Sequence, residues 1–241
     1  MWFQFDVKRE IKYRRPVLLV SVSTSIPQYR TLYSQGRELA KHLLKKMKFQ
    51  EVAVLHSSSF PPEVIVRDDG MSSLLSCKIY VNRGKRDILL FAGDSSPVDD
   101  HHEVARELLS FAKKAGVKEL YSVGTRWAEN PLPQFQDPEV NGFATDAIGV
   151  KALKNNGVKV LENEPGPFFA SVIVGLAGEY GIRGYKIQVD HGEPIPHARS
   201  LVKMLAVLSR MIGFEVDTKD LTAQITELPA APAPRPGTIY H

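Results

Sequence analysis

The stretch DILLFAGDSSPVDDHHEVARELLSFAKKAGVKELYSV, residues 87–123, decides the fold class. It begins with DILLFAG (87–93), an apolar run typical of a strand that is buried on both faces. Residues 99–115 place apolar side chains at three- and four-residue spacing, which predicts a helix that Gly116 ends. VKELYSV (117–123) has the pattern of a second buried strand. Strand, helix and strand with short connections predict a right-handed parallel βαβ unit.

The rest of the chain repeats this alternation of strands and helices. Further strands are predicted at 16–22, 51–57, 64–66, 78–81, 157–161 and 185–191, and further helices at 32–47, 143–157, 167–181 and 197–213. The Asp-Asp-Gly turn at 68–70 indicates an antiparallel excursion between 64–66 and 78–81. The pattern predicts an α/β domain over residues 1–227, with a mainly parallel sheet covered by helices on both faces. A flexible Pro-rich tail is expected at 228–241.

Composition excludes several classes of protein. The 241 residues carry 31 Lys and Arg against 27 Asp and Glu, and the basic run at 41–48 fits the solvated face of a helix, so no nucleic acid partner is expected. Cys77 is the single cysteine, which excludes an intrachain disulfide and favours a reducing compartment. Residues 1–16 lack the apolar core of a signal peptide, and no apolar run is long enough for a bilayer. We therefore expect a cytoplasmic protein without a membrane partner.

In a sheet of this kind, ligands bind past the carboxyl ends of the strands. After the strand at 16–22 the next glycine is Gly36, inside the predicted helix, so no phosphate-binding glycine motif is present. Asp94, Ser95 and Ser96 follow the strand at 87–93 and could serve acid-base or phosphate chemistry. A turn that caps the next helix explains the same three residues.

The histidines give no strong metal signal. His101 and His102 are adjacent in the first turn of a predicted helix, where neighbouring positions do not share one face, so both are expected at the surface. The nearest approach to a metal cluster is the set Asp190, His191, Glu193 and His197. An ordinary connecting loop accounts for this set, so no metal and no cofactor are predicted.

Nucleophiles and bases are equally scarce. Cys77 lies in a β-rich run and is expected to be packed rather than reactive. Arg126 and Trp127 begin a long loop and are possible contact residues without an assigned role. No catalytic residue is predicted, which favours binding over catalysis.

The chain ends in PAAPAPRPGTIYH, residues 229–241. The prolines favour polyproline geometry, and an extended stretch over 228–241 would reach about 40 Å at roughly 3.1 Å per residue. Such a spacer is suited to presenting the last three residues to a partner. A frayed terminus is the alternative interpretation.

Several motifs of the body resemble the PAC2 family of proteasome assembly chaperones, including its archaeal members. They are RPVLLVSV, FPPEVIVRDDG, DILLFAGDSSP, HEVARELLSFAKKAGVKELYSVG and GPFFASVIVGLAGEYGI, in that order, and the resemblance covers roughly residues 16–220. It implies a fold similar to nucleoside phosphorylases, no demonstrated catalysis and homo-oligomers. Many relatives carry a Gly-rich turn after the first strand, where this chain has STSIPQYRTLYSQG (23–36), so a ligand role of that loop does not carry over.

Beside this resemblance, Ile239, Tyr240 and His241 match the hydrophobic-Tyr-X terminus of proteasome activators and assembly chaperones. In those proteins the terminus enters pockets between neighbouring α-subunits. Ile239 would supply apolar burial, Tyr240 a ring with a polar tip, and His241 the terminal carboxylate for a pocket lysine. These three residues are the predicted partner-binding site.

The sequence therefore predicts a cytoplasmic, non-enzymatic proteasome assembly chaperone or adaptor. Its expected partners are proteasome α-subunits or another multimeric complex. Because one short tail buries little area, a homo-oligomer is expected, with a ring as one arrangement that presents several tails together. The alternative is a nucleoside-phosphorylase-like transferase or hydrolase that uses the Asp94 loop, Arg126 and the loop at 190–197.

Overall fold

A computed structural model describes residues 2–8, 12–22, 34–93, 95–127, 137–191 and 197–226. The strands in these ranges are β1 (Phe3–Val7), β2 (Val17–Val22), β3 (Phe49–Ser57), β4 (Val64–Val66), β5 (Ser72–Leu74), β6 (Cys77–Asn82), β7 (Ile88–Gly93), β8 (Glu119–Trp127), β9 (Val140–Ala144), β10 (Lys159–Val160) and β11 (Arg183–His191). The helices are α1 (Gln35–Lys46), α2 (His101–Lys114), α3 (Ala147–Asn155), α4 (Phe169–Ala177), α5 (His197–Leu208) and α6 (Lys219–Thr226).

One sheet of nine strands organises the described residues, in the order β1-β3-β6-β7-β2-β8-β11-β9-β10. Its centre is parallel: β2 pairs with β7 and with β8, and β8 pairs with β11. The predicted parallel unit of β7, α2 and β8 is confirmed, with β2 between its two strands. The carboxyl ends of β7, β2, β8 and β11 therefore meet at one edge of the sheet.

The prediction of a mainly parallel sheet is wrong, because the sheet is mixed. On one side β1, β3, β6 and β7 pair in antiparallel fashion, and on the other side β9 runs antiparallel to β11. The strands at 64–66 and 78–81, expected to form one antiparallel excursion, belong to different sheets. β4 pairs with β5 in a separate hairpin, while β6 joins the main sheet.

Helices cover both faces of the sheet, as the sequence predicts. Alternate residues of β2 enter two different cores: Leu18 and Val20 pack with α2 and α4, whereas Val17 and Leu19 pack with α1, α5 and α6. We call these two surfaces of the sheet the α4 face and the α5 face. Burial of apolar side chains on both faces stabilises the three-layer arrangement.

Glycine ends two of the helices, α2 and α3, where the sequence indicates. Gly116 follows α2 with φ +83, and Gly157 follows α3 with φ +75. These are left-handed conformations, which favour glycine because it lacks a Cβ. None of the helices in the described ranges combines the length and apolar character needed to cross a bilayer.

Candidate functional site at the carboxyl edge of the sheet

The interior strand β11 carries apolar side chains on one face only. Tyr185, Ile187 and Val189 belong to the core of the α5 face. The alternate residues Lys186, Gln188 and Asp190 point to the α4 face. A strand that lies between two neighbours and is covered on both faces normally has a continuous apolar sequence. Three polar residues on one face of β11 are therefore unusual.

Lys186 is the deepest member of this set. Its residue is 4% exposed, and within the described part of the chain its amine has no hydrogen bond and no ion pair. Lys186 is the register partner of Ser122 on β8, but its Nζ lies over Gly124, where an added Cβ would be 2.6 Å from that nitrogen. The side chain therefore extends toward the carboxyl edge. Burial lowers the pKa of Lys186 to about 7, because desolvation disfavours the ammonium.

The N-terminus of α4 lies at the same level of the sheet. Ser122 Oγ donates a hydrogen bond to the Ala170 carbonyl (2.6 Å), and further along the helix the Val174 carbonyl lies against Gly184. Because Gly184 precedes Lys186 on β11, α4 runs opposite to the strands and its N-terminus faces the carboxyl edge. The residue that precedes the helix is Phe168 (φ 66), and it provides no side-chain cap. The positive end of the helix dipole therefore faces the region that the Lys186 side chain extends toward.

Toward the edge, Asp190 joins three strands through polar contacts. Asn141 Nδ2 on β9 donates to Asp190 Oδ1 (2.7 Å), and Arg126 Nη1 on β8 lies 3.8 Å from the same oxygen. Arg126 also pairs with Glu164 at 3.2 Å. Burial raises the pKa of Asp190, and the nearby Arg126 guanidinium opposes that rise.

Asn141 is completely buried, and its Oδ1 accepts no hydrogen bond from any described residue. A buried acceptor without a donor costs free energy, so such groups are rare in folded proteins. The site thus contains one buried donor group, Lys186, and one buried acceptor, Asn141 Oδ1, that lack partners within the described residues.

The arrangement is suited to binding a polar ligand. Burial decreases along β11 from Lys186 to the half-buried Gln188 and Asp190, so the polar face leads outward to the edge. Arg126 is engaged by two carboxylates, whereas no carboxylate among the described residues pairs with the amine of Lys186. In the residues that the structure covers, no three His, Cys, Asp or Glu side chains are placed to hold a metal.

The structure brings together only some of the residues that the sequence predicts at the carboxyl edge of the sheet. Arg126 and Asp190 meet as an ion pair. Asp94 and Glu193 lie outside the described residues. The structure describes only the backbone of three others, which are Trp127 in β8, His191 in β11 and His197 at the start of α5.

Ser95, Ser96 and Cys77, the next candidates from the sequence, make contacts typical of residues with a structural role. Ser95 and Ser96 are buried, and their hydroxyls donate to carbonyls of the same turn, at Ser96 (3.2 Å) and Pro97 (3.5 Å). Cys77 is fully buried, as predicted, and its thiol lies 3.4 Å from the Ser95 carbonyl. These contacts agree with a structural turn.

The two adjacent histidines differ from each other. His102 is exposed, as predicted, whereas the half-buried His101 places its Nε2 3.0 Å from the Pro97 carbonyl. Neither belongs to the polar set on β11. The tail residues Ile239, Tyr240 and His241 lie outside the described residues, so their docking role stays a prediction.

Sequence reasoning missed Lys186, Gly124 and Asn141. The available signal was the alternation in YKIQVDH (185–191), which is typical of a strand with one solvated face. Such a strand in the middle of a doubly covered sheet must direct its polar side chains into the protein. That inference needs the strand order, which the sequence does not supply.

Comparison with known structures shows the same fold in several solved proteins. Pyrococcus furiosus PbaB, an archaeal proteasome activator, superposes with a TM-score of 0.78 at 22% identity, over 93% of this chain and 95% of that chain. P. furiosus PbaA, an archaeal homolog of proteasome-assembly chaperone, gives 0.70 at 18% identity, over 92% and 87%. The Mycobacterium tuberculosis proteasome-assembly chaperone homologue Rv2125 gives 0.70 at 17% identity, over 87% and 91%. These likenesses show a shared fold.

Sequence comparison gives the family. The chain is 28% identical over 146 residues to MJ1210 of Methanocaldococcus jannaschii, which is 59% of this chain and 53% of that protein. The matched part spans about half the length of this curated relative. The model of the PAC2 family matches residues 35–231, which is most of the chain. The protein therefore belongs to the PAC2 family.

Proposed function

We propose that this chain is a non-enzymatic proteasome assembly chaperone or adaptor. It docks its C-terminal residues into pockets of a partner ring such as the proteasome α-ring. The observation that carries the proposal is the family match over 35–231. The solved structures add support, because PbaB is a proteasome activator and PbaA a homolog of proteasome-assembly chaperone. On this proposal the protein works in the cytoplasm.

The proposed docking element is the set Ile239, Tyr240 and His241. The apolar side chain and the ring gain from burial, and the terminal carboxylate pairs with a lysine of the pocket. The prolines in 229–236 favour extended geometry, which would reduce the conformational entropy lost on binding. Residues 1–227 then form the body and 228–241 the presenting tail.

A homo-oligomer is part of the proposal, because several tails on one assembly bind more tightly than one. The β4–β5 hairpin supports association of the body. It exposes Val64, Val66, Met71 and Leu74, and Val66 and Leu74 are 65% and 61% exposed. An exposed group of large apolar side chains on one hairpin is typical of a protein contact surface.

The test is a titration by interferometry against isolated α-subunits and assembled proteasome core particles. The full chain is compared with a variant that lacks residues 239–241, after light scattering has given the size of both. We expect binding to disappear with the three residues while the oligomer persists. The matched control is His241→Ala, which keeps the terminal carboxylate and alters only the side chain at the X position of the hydrophobic-Tyr-X motif, so it should bind like the unmodified chain.

Two results would overturn this proposal. One is the absence of binding by the full chain to either form of the ring subunits. The other is binding that the deletion leaves unchanged, which would assign the contact to the body instead of the tail.

A further inference from the structure

Lys186 is placed where both its surroundings and the neighbouring helix disfavour a positive charge. It is 4% exposed, no described residue pairs with it, and the uncapped N-terminus of α4 faces the same edge. An apolar side chain of similar length would fill this space without that cost. The position therefore suggests a role that needs an amine.

We propose that the α4 face of β11 binds a small hydroxylated oxyanion, a phosphate or carboxylate compound, through Lys186 at its inner end and Asn141 at its side. The site requires no turnover and does not depend on the C-terminal tail. It lies at the carboxyl ends of the parallel strands, which is where sheets of this kind bind ligands.

An oxyanion fits the inner end of the site. The lysine ammonium has three donors and no acceptor, so its natural partner is an oxygen with negative charge. The N-terminus of α4 favours the same charge. Gly124 allows the lysine amine to reach this position, because a side chain at residue 124 would collide with Lys186 Nζ.

A hydroxyl group fits the side of the site. Asn141 Oδ1 is a buried acceptor that no described residue satisfies, and a ligand hydroxyl supplies the missing donor. Asn141 is the register partner of Gln188 on β11, and Gln188 is the partner of Gly124 on β8. Asn141 and Gly124 are thus two strand spacings apart, which is about 10 Å. A hydroxy acid or polyol phosphate, together with its hydrogen bonds to Lys186 and Asn141, spans this distance.

The charged groups around Lys186 set the pH dependence of binding. On the α4 face, Arg126 of β8 pairs with Asp190 of β11 and with Glu164 of the segment before α4. Lys159 of β10 and Glu139 pair with each other nearby, and both act on Asp190. Residues 169–177 of α4 and 140–144 of β9 contain no charged side chain. Because burial places the pKa of Lys186 at about 7, the free protein is part-protonated near neutrality, and binding an anion draws in a proton.

The test is isothermal titration calorimetry of the full chain with three probes: glycerate, glycerol phosphate and inorganic phosphate. Glycerate keeps a constant charge between about pH 6 and pH 9, so its pH dependence reports the protein alone. We expect glycerate or glycerol phosphate to bind more tightly than inorganic phosphate. The affinity for glycerate should fall above pH 7, by up to about tenfold per pH unit. Titrations in two buffers of different ionisation enthalpy should show proton uptake.

Two variants separate the site from general charge effects. Lys186→Met should weaken binding by about tenfold or more at pH 6. Lys159→Met is the matched control, because Lys159 lies on the neighbouring strand β10 but is exposed and pairs with Glu139 at 2.9 Å. This control should keep its affinity within about twofold.

The proton-uptake measurement needs no variant, so the proposal stays testable even if Lys186→Met does not fold. Binding of glycerate alone or of glycerol phosphate alone would support the site and identify its oxyanion. The proposal is overturned if no probe binds, if Lys186→Met binds as tightly as the unmodified protein, or if binding takes up no proton.

Discussion

Lys186 couples the stability of the body to pH. Its pKa is about 7 in the folded protein, whereas an unfolded lysine titrates near 10.5. Between these values the unfolded chain binds more protons than the folded one, so stability rises with pH. The destabilisation is complete below pH 7 and disappears as pH rises through 10.5. This rise of stability with pH is opposite to the effect of a lysine in an ion pair, which loses its stabilising contribution as pH rises.

We therefore expect Lys186→Met to stabilise the protein at pH 7, by a free energy of unfolding on the order of 3–5 kcal/mol. The advantage should shrink by about 1.4 kcal/mol for each pH unit between 7 and 10, because neutralising Lys186 on folding costs less as pH approaches the pKa of the unfolded lysine. Urea unfolding at pH 7 and pH 9 measures this difference.

The control for this experiment is Lys41→Met on α1, where the side chain is exposed and lies 3.2 Å from Glu38. It should change stability little and show no comparable pH trend. If Lys186→Met is less stable than the unmodified protein at both pH values, the buried amine makes a stabilising contact and the expected cost of its burial is wrong.

At the scale of elements, the pairing of β9 with β11 depends on a glycine. An added Cβ at Gly142 would lie 2.2 Å from the Lys186 carbonyl oxygen, and this obstacle is backbone that cannot rotate away. Gly142 therefore permits the close approach of the strand that carries Asn141. The same backbone contact holds the two sides of the proposed ligand site together.

Gly142→Ala should lower the free energy of unfolding by about 1–3 kcal/mol or more, because the strands must separate to admit the methyl group. Gly175→Ala is the matched control. Gly175 is an exposed position within α4 with no atom near an added Cβ, so this change should stabilise the protein by roughly 0.5–1 kcal/mol. Thermal and urea unfolding of both variants measures the contrast. Equal effects of the two substitutions would show that the β9–β11 contact carries no constraint.

The elements also show which parts of the fold the sequence predicts. Long apolar runs such as 16–22 and 87–93 identify β2 and β7, because burial on both faces leaves a continuous pattern. The short strand β9 is missed, since Asn141 and Gly142 interrupt its apolar pattern and its last residues fall within the helix predicted at 143–157. The direction of pairing depends on contacts between distant segments, so the mixed character of the sheet is not encoded locally.

The candidate site shows the same limit. Arg126 and Asp190 are recognisable from sequence, because each lies at the carboxyl end of a predicted strand. Lys186 is not recognisable, because its importance comes from α4 covering the polar face of β11. In a strand with alternating apolar and polar residues, a lysine is expected to face solvent unless the elements that cover the strand are known.

At the scale of the whole molecule, the two proposed activities occupy different faces. The last described helix, α6, packs against α5, so the described residues end on the α5 face. The Lys186 site lies on the α4 face, across the sheet. A change at Lys186 should therefore leave docking by the tail intact, and removal of the tail should leave anion binding intact.

The affinity of the assembly should exceed that of its tail. A synthetic peptide of residues 229–241 contains the proposed docking element but presents it once, so we expect it to bind core particles weakly. Linking several tails through an oligomeric body raises their effective concentration and should strengthen binding by about 10²–10⁴-fold without new contacts. Competition of the peptide against the full chain in interferometry measures this ratio. A peptide in which Tyr240 is replaced by Ala serves as its control. If the peptide binds as tightly as the full chain, a single tail is sufficient and oligomerisation contributes nothing to docking.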